Sequence, residues 1–268
     1  MRIRGDRKDY SRTRKTFYYL ITIMELNTIY NMDCLEWMKL IPDGSIDAII
    51  TDPPYWTTAC KRDTVIPFDL MREQLNRIIK PNWAIILFGS EPFSSALRMS
   101  NIKNYKYDWI WEKNRASGHL NAKKMPMKNY ENIAVFYNKT PTYNPQFEEW
   151  KAYKKTPSKN TYSWYGKHNP IHQDNSWFRY PKMIIKQSSE QNEIHPTQKP
   201  VALIEYLIKT YTNEWETVLD FTMWSWTCAI ACINTNRNFI WFELDENYWN
   251  IANKRIQDSL SDRTLFDI

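Results

Sequence analysis

The chain has 268 residues and a net charge of +6, enough for one sizeable α/β domain or a domain with an insert. No run approaches the ~20 apolar residues of a membrane span, and the short apolar run at 17–23 has no clear cleavage site, so neither a span nor a signal peptide is expected. Cys34, Cys60, Cys228 and Cys232 follow no metal-ligand spacing and read as reduced, intracellular core residues.

Residues 1–23 are basic and polar over most of their length and read as a disordered extension, with the folded unit at 24–268. Residues 27–31 read as a short strand, followed by Asp33 and a helix at 34–41; Asp33 suits a helix N-cap. Asp47 is expected to end a turn ahead of the central strand. Residues 46–51 are apolar and β-branched and read as that buried strand. Asp52-Pro53-Pro54-Tyr55 then ends the ladder, because neither proline donates a backbone N–H and both fix φ. An acid, a rigid kink and an aromatic ring thus stand past the carboxyl end of a strand, where open α/β sheets bind ligands. A carboxylate and a backbone carbonyl both accept hydrogen bonds from an exocyclic amine, and a tyrosine stacks on the flat base that carries it.

A helical pattern at 69–79 closes at Pro81, a continuous apolar run at 84–88 reads as a parallel strand, and 91–100 reads as a helix. Residues 107–111 and 133–137 alternate like strands, and 114–129 between them read as a basic, glycine-containing loop. Residues 138–193 have little period and interleave basic with aromatic residues, which fits backbone contacts plus base stacking. Overall, 101–186 hold sixteen Lys/Arg against six Asp/Glu, net +10, whereas 187–268 hold six against twelve, net −6; this basic block suits a polyanion surface. His168, His172 and His195 have the wrong spacing for a metal site, and no metal is expected. Pro200 suits the start of a helix at 201–210. A strand at 217–219, a loop at 220–227, a helix at 228–234, a strand at 239–242 ending in Glu243 and a helix at 245–257 complete a dinucleotide-type layout, in which the acid holds ribose hydroxyls. The expected fold class is α/β with a doubly wound, mostly parallel sheet.

In order along the chain, Asn31-Met32-Asp33-Cys34-Leu35-Glu36, Asp52-Pro53-Pro54-Tyr55, Leu87-Phe88-Gly89-Ser90, His195-Pro196-Thr197-Gln198-Lys199-Pro200, Val218-Leu219-Asp220 and Phe242-Glu243-Leu244-Asp245 resemble the motifs of the amino-methylating DNA methyltransferases, in the order of their β group. The resemblance runs from about residue 24 to 256. It implies a Rossmann-like domain using S-adenosylmethionine, with a target-recognition insert at about 114–193, that acts in the cytoplasm on double-stranded DNA and flips its base out of the stack. It implies that Asp52 and the Pro53 carbonyl orient the amine within the motif completed by Pro54, and that Tyr55 stacks on the base. It places Asp33, His195, Thr197, Lys199, Asp220, Phe221, Met223, Ser225, Thr227 and Glu243 at the cofactor, and Arg115, Lys123, Lys124 and Lys128 at the DNA. Aspartate at 52 favours adenine N6, with cytosine N4 the near alternative. A homodimer and a cognate restriction nuclease are compatible partners that the residues themselves do not specify. The rival reading is a non-catalytic DNA-binding relative; methylation of RNA or protein is disfavoured by the long basic insert.

One feature of the sequence opposes cofactor binding. The cofactor loop carries Trp224 and Trp226 where the family pattern has glycine, and Trp37, Trp56, Trp83, Trp150, Trp177, Trp215 and Trp241 are read as replacing family glycines elsewhere. Glycine serves there because the backbone turns tightly against the ligand with no side chain between. The chain has 5 Gly and 13 Trp, whereas usage of about 7% would give roughly 19 Gly. One replacement residue at so many positions points to a recoded gene, with a glycine codon, UGA being the natural candidate, read as tryptophan. Trp109 and Trp111 match the family as tryptophan. Arg62 and Arg72 occupy positions where relatives often carry it.

Overall fold

The computed structural model describes residues 25–55, 64–149, 151–155, 162–163, 166–167, 173–175, 177–188, 198–222 and 227–266. The expectations at 1–23 and for Trp56, Cys60, Trp150, His168, His172, His195, Thr197, Met223, Trp224, Ser225 and Trp226 lie outside them.

The β-branched and apolar runs pair into one eight-stranded sheet. Its strands are β1 (Thr28–Tyr30), β2 (Ile46–Thr51), β3 (Ile79–Gly89), β4 (Tyr105–Ser117), β5 (Lys128–Phe136), β6 (Ile184–Lys186), β7 (Thr217–Asp220) and β8 (Asn238–Phe242). The order across the sheet is β1-β8-β7-β2-β3-β5-β4-β6, and every pairing is parallel except those of β5 with β3 and β4. Helices α1 (Cys34–Met38), α2 (Phe68–Ile78), α3 (Phe93–Met99), α4 (Val201–Tyr211), α5 (Thr227–Asn234) and α6 (Glu246–Phe266) connect or follow these strands. All six residues of β2 are buried. Alternation sends Ala48 and Ile50 to one face, into a cluster with Leu203 and Leu207 of α4 and Ala229 of α5, and Ile49 to the other, with Met71 and Leu75 of α2. A strand covered on both faces is the reason 46–51 reads as an unbroken apolar run. Each fully buried Ile, Leu or Met among them contributes about 1.5–3 kcal/mol by leaving water.

Because β2, β3, β7 and β8 are parallel, their carboxyl ends share one edge: Thr51, Gly89, Asp220 and Phe242 all finish there. The chain positions of Asp52, Ser90, Phe221 and Glu243 follow directly.

Several expectations need correction. Asp47 does not end a turn: it lies inside β2, buried, ion-paired to Lys80 and accepting the Thr217 backbone N–H at 2.9 Å. It tethers β2 to β7. The loop expected over 114–129 is largely a hairpin, since β4 runs on to Ser117 and pairs it with Lys128. The span 114–193 read as an insert contains β5 and β6, both strands of the central sheet. Within it, short antiparallel pairs nest around one another: Glu148–Glu149 with Phe178–Arg179, Tyr153–Lys155 with Gln173–Asn175, and Tyr162–Ser163 with Gly166–Lys167. Helix α1 stops at Met38, where Leu40 and Ile41 donate three residues back and tighten the turn before Pro42. Helix α6 continues to Phe266, because no glycine or proline follows Glu246 to stop it.

The tryptophans divide into two kinds. Trp109 donates its indole N–H to the Tyr211 hydroxyl at 2.7 Å and Trp111 to the Gln187 carbonyl at 2.8 Å. Trp37 and Trp241, two of the family-glycine positions, have buried indole N–H groups with no acceptor among the described residues. A buried donor left unpaired costs about 1–3 kcal/mol. Trp215, a third, has φ +68, in the left-handed region that glycine enters freely. Arg72 is buried over the Phe136 ring at 4.1 Å and donates to Ser100 and Leu97, with one guanidinium nitrogen unpaired. Burial lowers its pKa to about 10.

Candidate active site

Asp52 is the first residue past β2, and Pro53 and Pro54 stop the strand from continuing. Three neighbours fix this residue, and a fourth acts through one of them. The Tyr55 hydroxyl donates to its Oδ1. The Lys199 ammonium, brought in just ahead of α4, donates to its Oδ2 at 2.5 Å. Thr222 Oγ1, past the end of β7, donates to its carbonyl oxygen at 3.1 Å. Glu131 of β5 holds Lys199 from the other side at 3.3 Å and is itself bound by Lys113 of β4. The edge therefore carries an alternating row, Asp52, Lys199, Glu131, Lys113, almost closed to water.

Burial pushes the Asp52 carboxyl up against the pull of Lys199. Burial alone would lower Lys199, but Asp52 and Glu131 outweigh it and hold the ammonium above its usual value. For Glu131, Lys199 and Lys113 overcome burial and keep it ionised. Asp220, at the end of β7, has no cation in contact among the described residues. It accepts from the Thr51 hydroxyl and from the Thr222 backbone N–H at 3.1 Å, and burial pushes it up to about 7.

Beside this row opens a cavity of about 430 Å³, of the size that holds small-molecule ligands. Its walls include Asp33, Pro54, Ile66, Phe221, Phe242 and Glu243. Asp33 combines two positions: its Oδ1 caps α1 by accepting from Leu35 and Glu36 at 2.9 and 3.2 Å, and it faces the cavity. Glu243 follows β8 and accepts the Asp245 backbone N–H at 2.6 Å. The aromatic and proline faces suit a flat base, and the two carboxylates suit sugar hydroxyls or an amine. Among the described residues no group of His, Cys, Asp and Glu could hold a metal ion, and no helix is long and apolar enough to cross a membrane.

The structure thus brings Asp52, Tyr55, Lys199, Asp220, Phe221, Thr227, Asp33 and Glu243 to one edge. Lys199 is buried on Asp52 and Glu131 and does not line the cavity. Of the four cations expected at DNA, Arg115, Lys123 and Lys124 are exposed. Lys128 turns inward instead, donating to the Ser90 hydroxyl, and burial lowers its pKa. Sequence reasoning missed Glu131, Lys113, Thr51 and Thr222. None carries a local signal: Glu131 lies in the polar first half of β5, ahead of the apolar run 133–136.

Known proteins agree with this geometry. Residues 46–254 match the DNA methylase model of the N6/N4 methyltransferase family. The DNA adenine methyltransferase YhdJ of Escherichia coli is 28% identical over 251 residues, covering 87% of this chain and 83% of its own. The type II methyltransferase M.BglII of Bacillus subtilis is 27% identical, covering 85% and 68%. Among solved structures, the M1.HpyAVI–SAM complex superposes with a TM-score of 0.58 at 27% identity, over 85% of this chain and 98% of that one. The PvuII cytosine-N4-specific DNA methyltransferase has a TM-score of 0.62 at 15% identity, over 87% and 90%, a likeness of fold alone. The chain belongs to the N6/N4 family of DNA methylases.

Proposed function

We propose that the chain, with glycine in place of tryptophan at 56, 224 and 226, transfers a methyl group from S-adenosylmethionine to N6 of an adenine flipped out of double-stranded DNA. The carrying observation is the meeting, at one sheet edge, of Asp52-Pro53-Pro54-Tyr55 with an apolar cavity closed by Asp33 and Glu243. The cavity fits the donor: Phe242 and Pro54 offer faces for its adenine, Glu243 an acceptor for its ribose, and Phe221 and Thr222 lead toward Asp52. When bound, S-adenosylmethionine supplies an electrophilic methyl group on a sulfonium.

The chain's own residues do the positioning. Asp52 and the Pro53 carbonyl accept the two amine hydrogens, which draws density toward the nitrogen and exposes its lone pair. Lys199 and Thr222 hold Asp52 at fixed orientation from two sides. The Tyr55 hydroxyl occupies Asp52 Oδ1 in this structure, so an entering amine displaces it and frees the ring to stack. No covalent enzyme intermediate is required: the nitrogen lone pair would form the new N–C bond as the S–C bond of the sulfonium breaks, a neutral thioether would leave, and the methylated nitrogen would release one proton to solvent, so orientation carries most of the rate. Arg115, Lys123 and Lys124 face the phosphates. Aspartate at position 52 and the adenine specificity in YhdJ's name support adenine over cytosine N4. Relatives named type II methyltransferases support a cognate nuclease as a partner in the source cell.

The test is chemical. Unmethylated genomic DNA is incubated with labelled donor and the chain carrying glycine at 56, 224 and 226, then digested to nucleosides. Label in N6-methyladenosine of the deoxy series is expected. Label in N4-methylcytosine would transfer the reading to cytosine, and label in neither, from a folded chain that binds the donor, would remove it.

A further inference from the structure

Residues 114–127, the end of β4 and the turn that leads to β5, are all exposed. Their placement follows from register. Asn132 of β5 pairs antiparallel with Gly89, so the amino-terminal end of β5 and the carboxyl end of β4 leave the sheet at the edge that carries Asp52. Glu131 reaches Lys199, which holds Asp52, and Lys128 reaches Ser90. At roughly 3.3 Å per strand residue, the arm advances about 10 Å from Glu131 to Lys128. The turn beyond it projects past the catalytic acid.

That turn is folded. Gly118 has φ +86, a backbone state open to glycine, and begins a single helical turn at His119–Asn121. Lys124 and Met125 donate to the Asn121 carbonyl at 2.8 and 3.0 Å. The result presents Leu120 outward at 87% exposure, with Met125 at 59% and Met127 at 42%. From Lys113 to Lys128 the hairpin carries five cations, Lys113, Arg115, Lys123, Lys124 and Lys128, and no acid. An apolar tip on a wholly basic arm is matched by a duplex, which offers phosphates to the cations and base faces to the tip.

We propose that the β4–β5 hairpin is a wedge that enters DNA beside the target base, with Leu120 filling the space in the stack that the extruded base vacates. Met125 and Met127 flank that entry, and Arg115, Lys123 and Lys124 grip the phosphates on either side. The proposal rests on the DNA reading above and adds the group that offsets the loss of stacking on extrusion.

The experiment needs neither cofactor nor target sequence. Fluorescence anisotropy compares binding of the full chain to a labelled duplex, intact or with one central abasic position. A gap already open in the stack makes insertion less costly, so the unsubstituted chain should bind the abasic duplex roughly fivefold or more tightly. Leu120→Ala should abolish that preference; its exposure means the fold is not at stake. Replacing Lys123 and Lys124 together by glutamine should weaken both duplexes equally and reduce the salt slope by about two. Equal binding of the two duplexes by the unsubstituted chain, or a preference that survives Leu120→Ala, would overturn the wedge and spare the DNA reading. Failure to bind either duplex would overturn both.

Discussion

Replacing Asp220 by asparagine should flatten the pH dependence of stability. The carboxyl titrates at 3.8 in an exposed chain and is pushed up to about 7 here by burial. The folded state therefore holds its proton more tightly than the unfolded state does. The sign follows: this group favours folding at low pH, and the contribution fades as pH rises from about 4 through 7. At 1.36 kcal/mol per pH unit, the whole effect is about 4 kcal/mol, of which about 2–3 kcal/mol disappears between pH 5 and pH 8. Asparagine keeps an oxygen for Thr51 and the Thr222 N–H and has no charge to bury. Urea unfolding at pH 5 and pH 8 measures the difference for both proteins. The substituted chain should lose about 2–3 kcal/mol less than the parent over that interval. Parallel profiles, or a steeper loss in the asparagine variant, would refute the reasoning that an uncompensated carboxyl sits at the end of β7.

Trp215→Gly should be more stable than Trp215→Ala by about 1 kcal/mol, because both remove an exposed ring but only glycine relieves φ +68; equal denaturation midpoints would contradict the strain. Lys199→Met leaves Asp52 and Glu131 facing each other in the interior without their shared cation, at a cost of about 3–5 kcal/mol. Protonation relieves that repulsion, so the loss should be smaller at pH 5 than at pH 8, and an equal loss at both would count against the buried row. In calorimetric titration, S-adenosylmethionine should bind a chain with glycine at 56, 224 and 226 and should bind the chain as written weakly or not at all. Similar binding by both would show that tryptophan fits where the turn was argued to need glycine.

The frame was readable because its signals are local. The apolar run at 46–51, the two prolines after Asp52 and the acid after 239–242 each mark a strand end, and parallel pairing then collects those ends at one edge. The Asp52–Lys199–Glu131–Lys113 row was not readable, since its members are brought together by non-local pairing of β5 with β3 and β4 and by the approach to α4. Asp47 shows the same limit: an acid inside a buried strand is explained only by Lys80 and the Thr217 N–H, which sequence distance hides. In the hairpin arms, basic and polar residues obscure the alternation that backbone pairing at Ser117 and Lys128 reveals. Asp33 suits a helix cap by sequence, and its side chain both caps α1 and lines the cavity.

The most direct test of the central claim is labelled methyl transfer to unmethylated genomic DNA by the chain carrying glycine at 56, 224 and 226, alongside the same chain with Asp52→Ala. The account predicts label incorporated into the DNA by the first and a loss of at least a hundredfold in the second, the scale expected when a group that positions the reacting atom is removed. Undiminished transfer after Asp52→Ala would contradict it, as would no transfer from a folded parent shown to bind both S-adenosylmethionine and DNA.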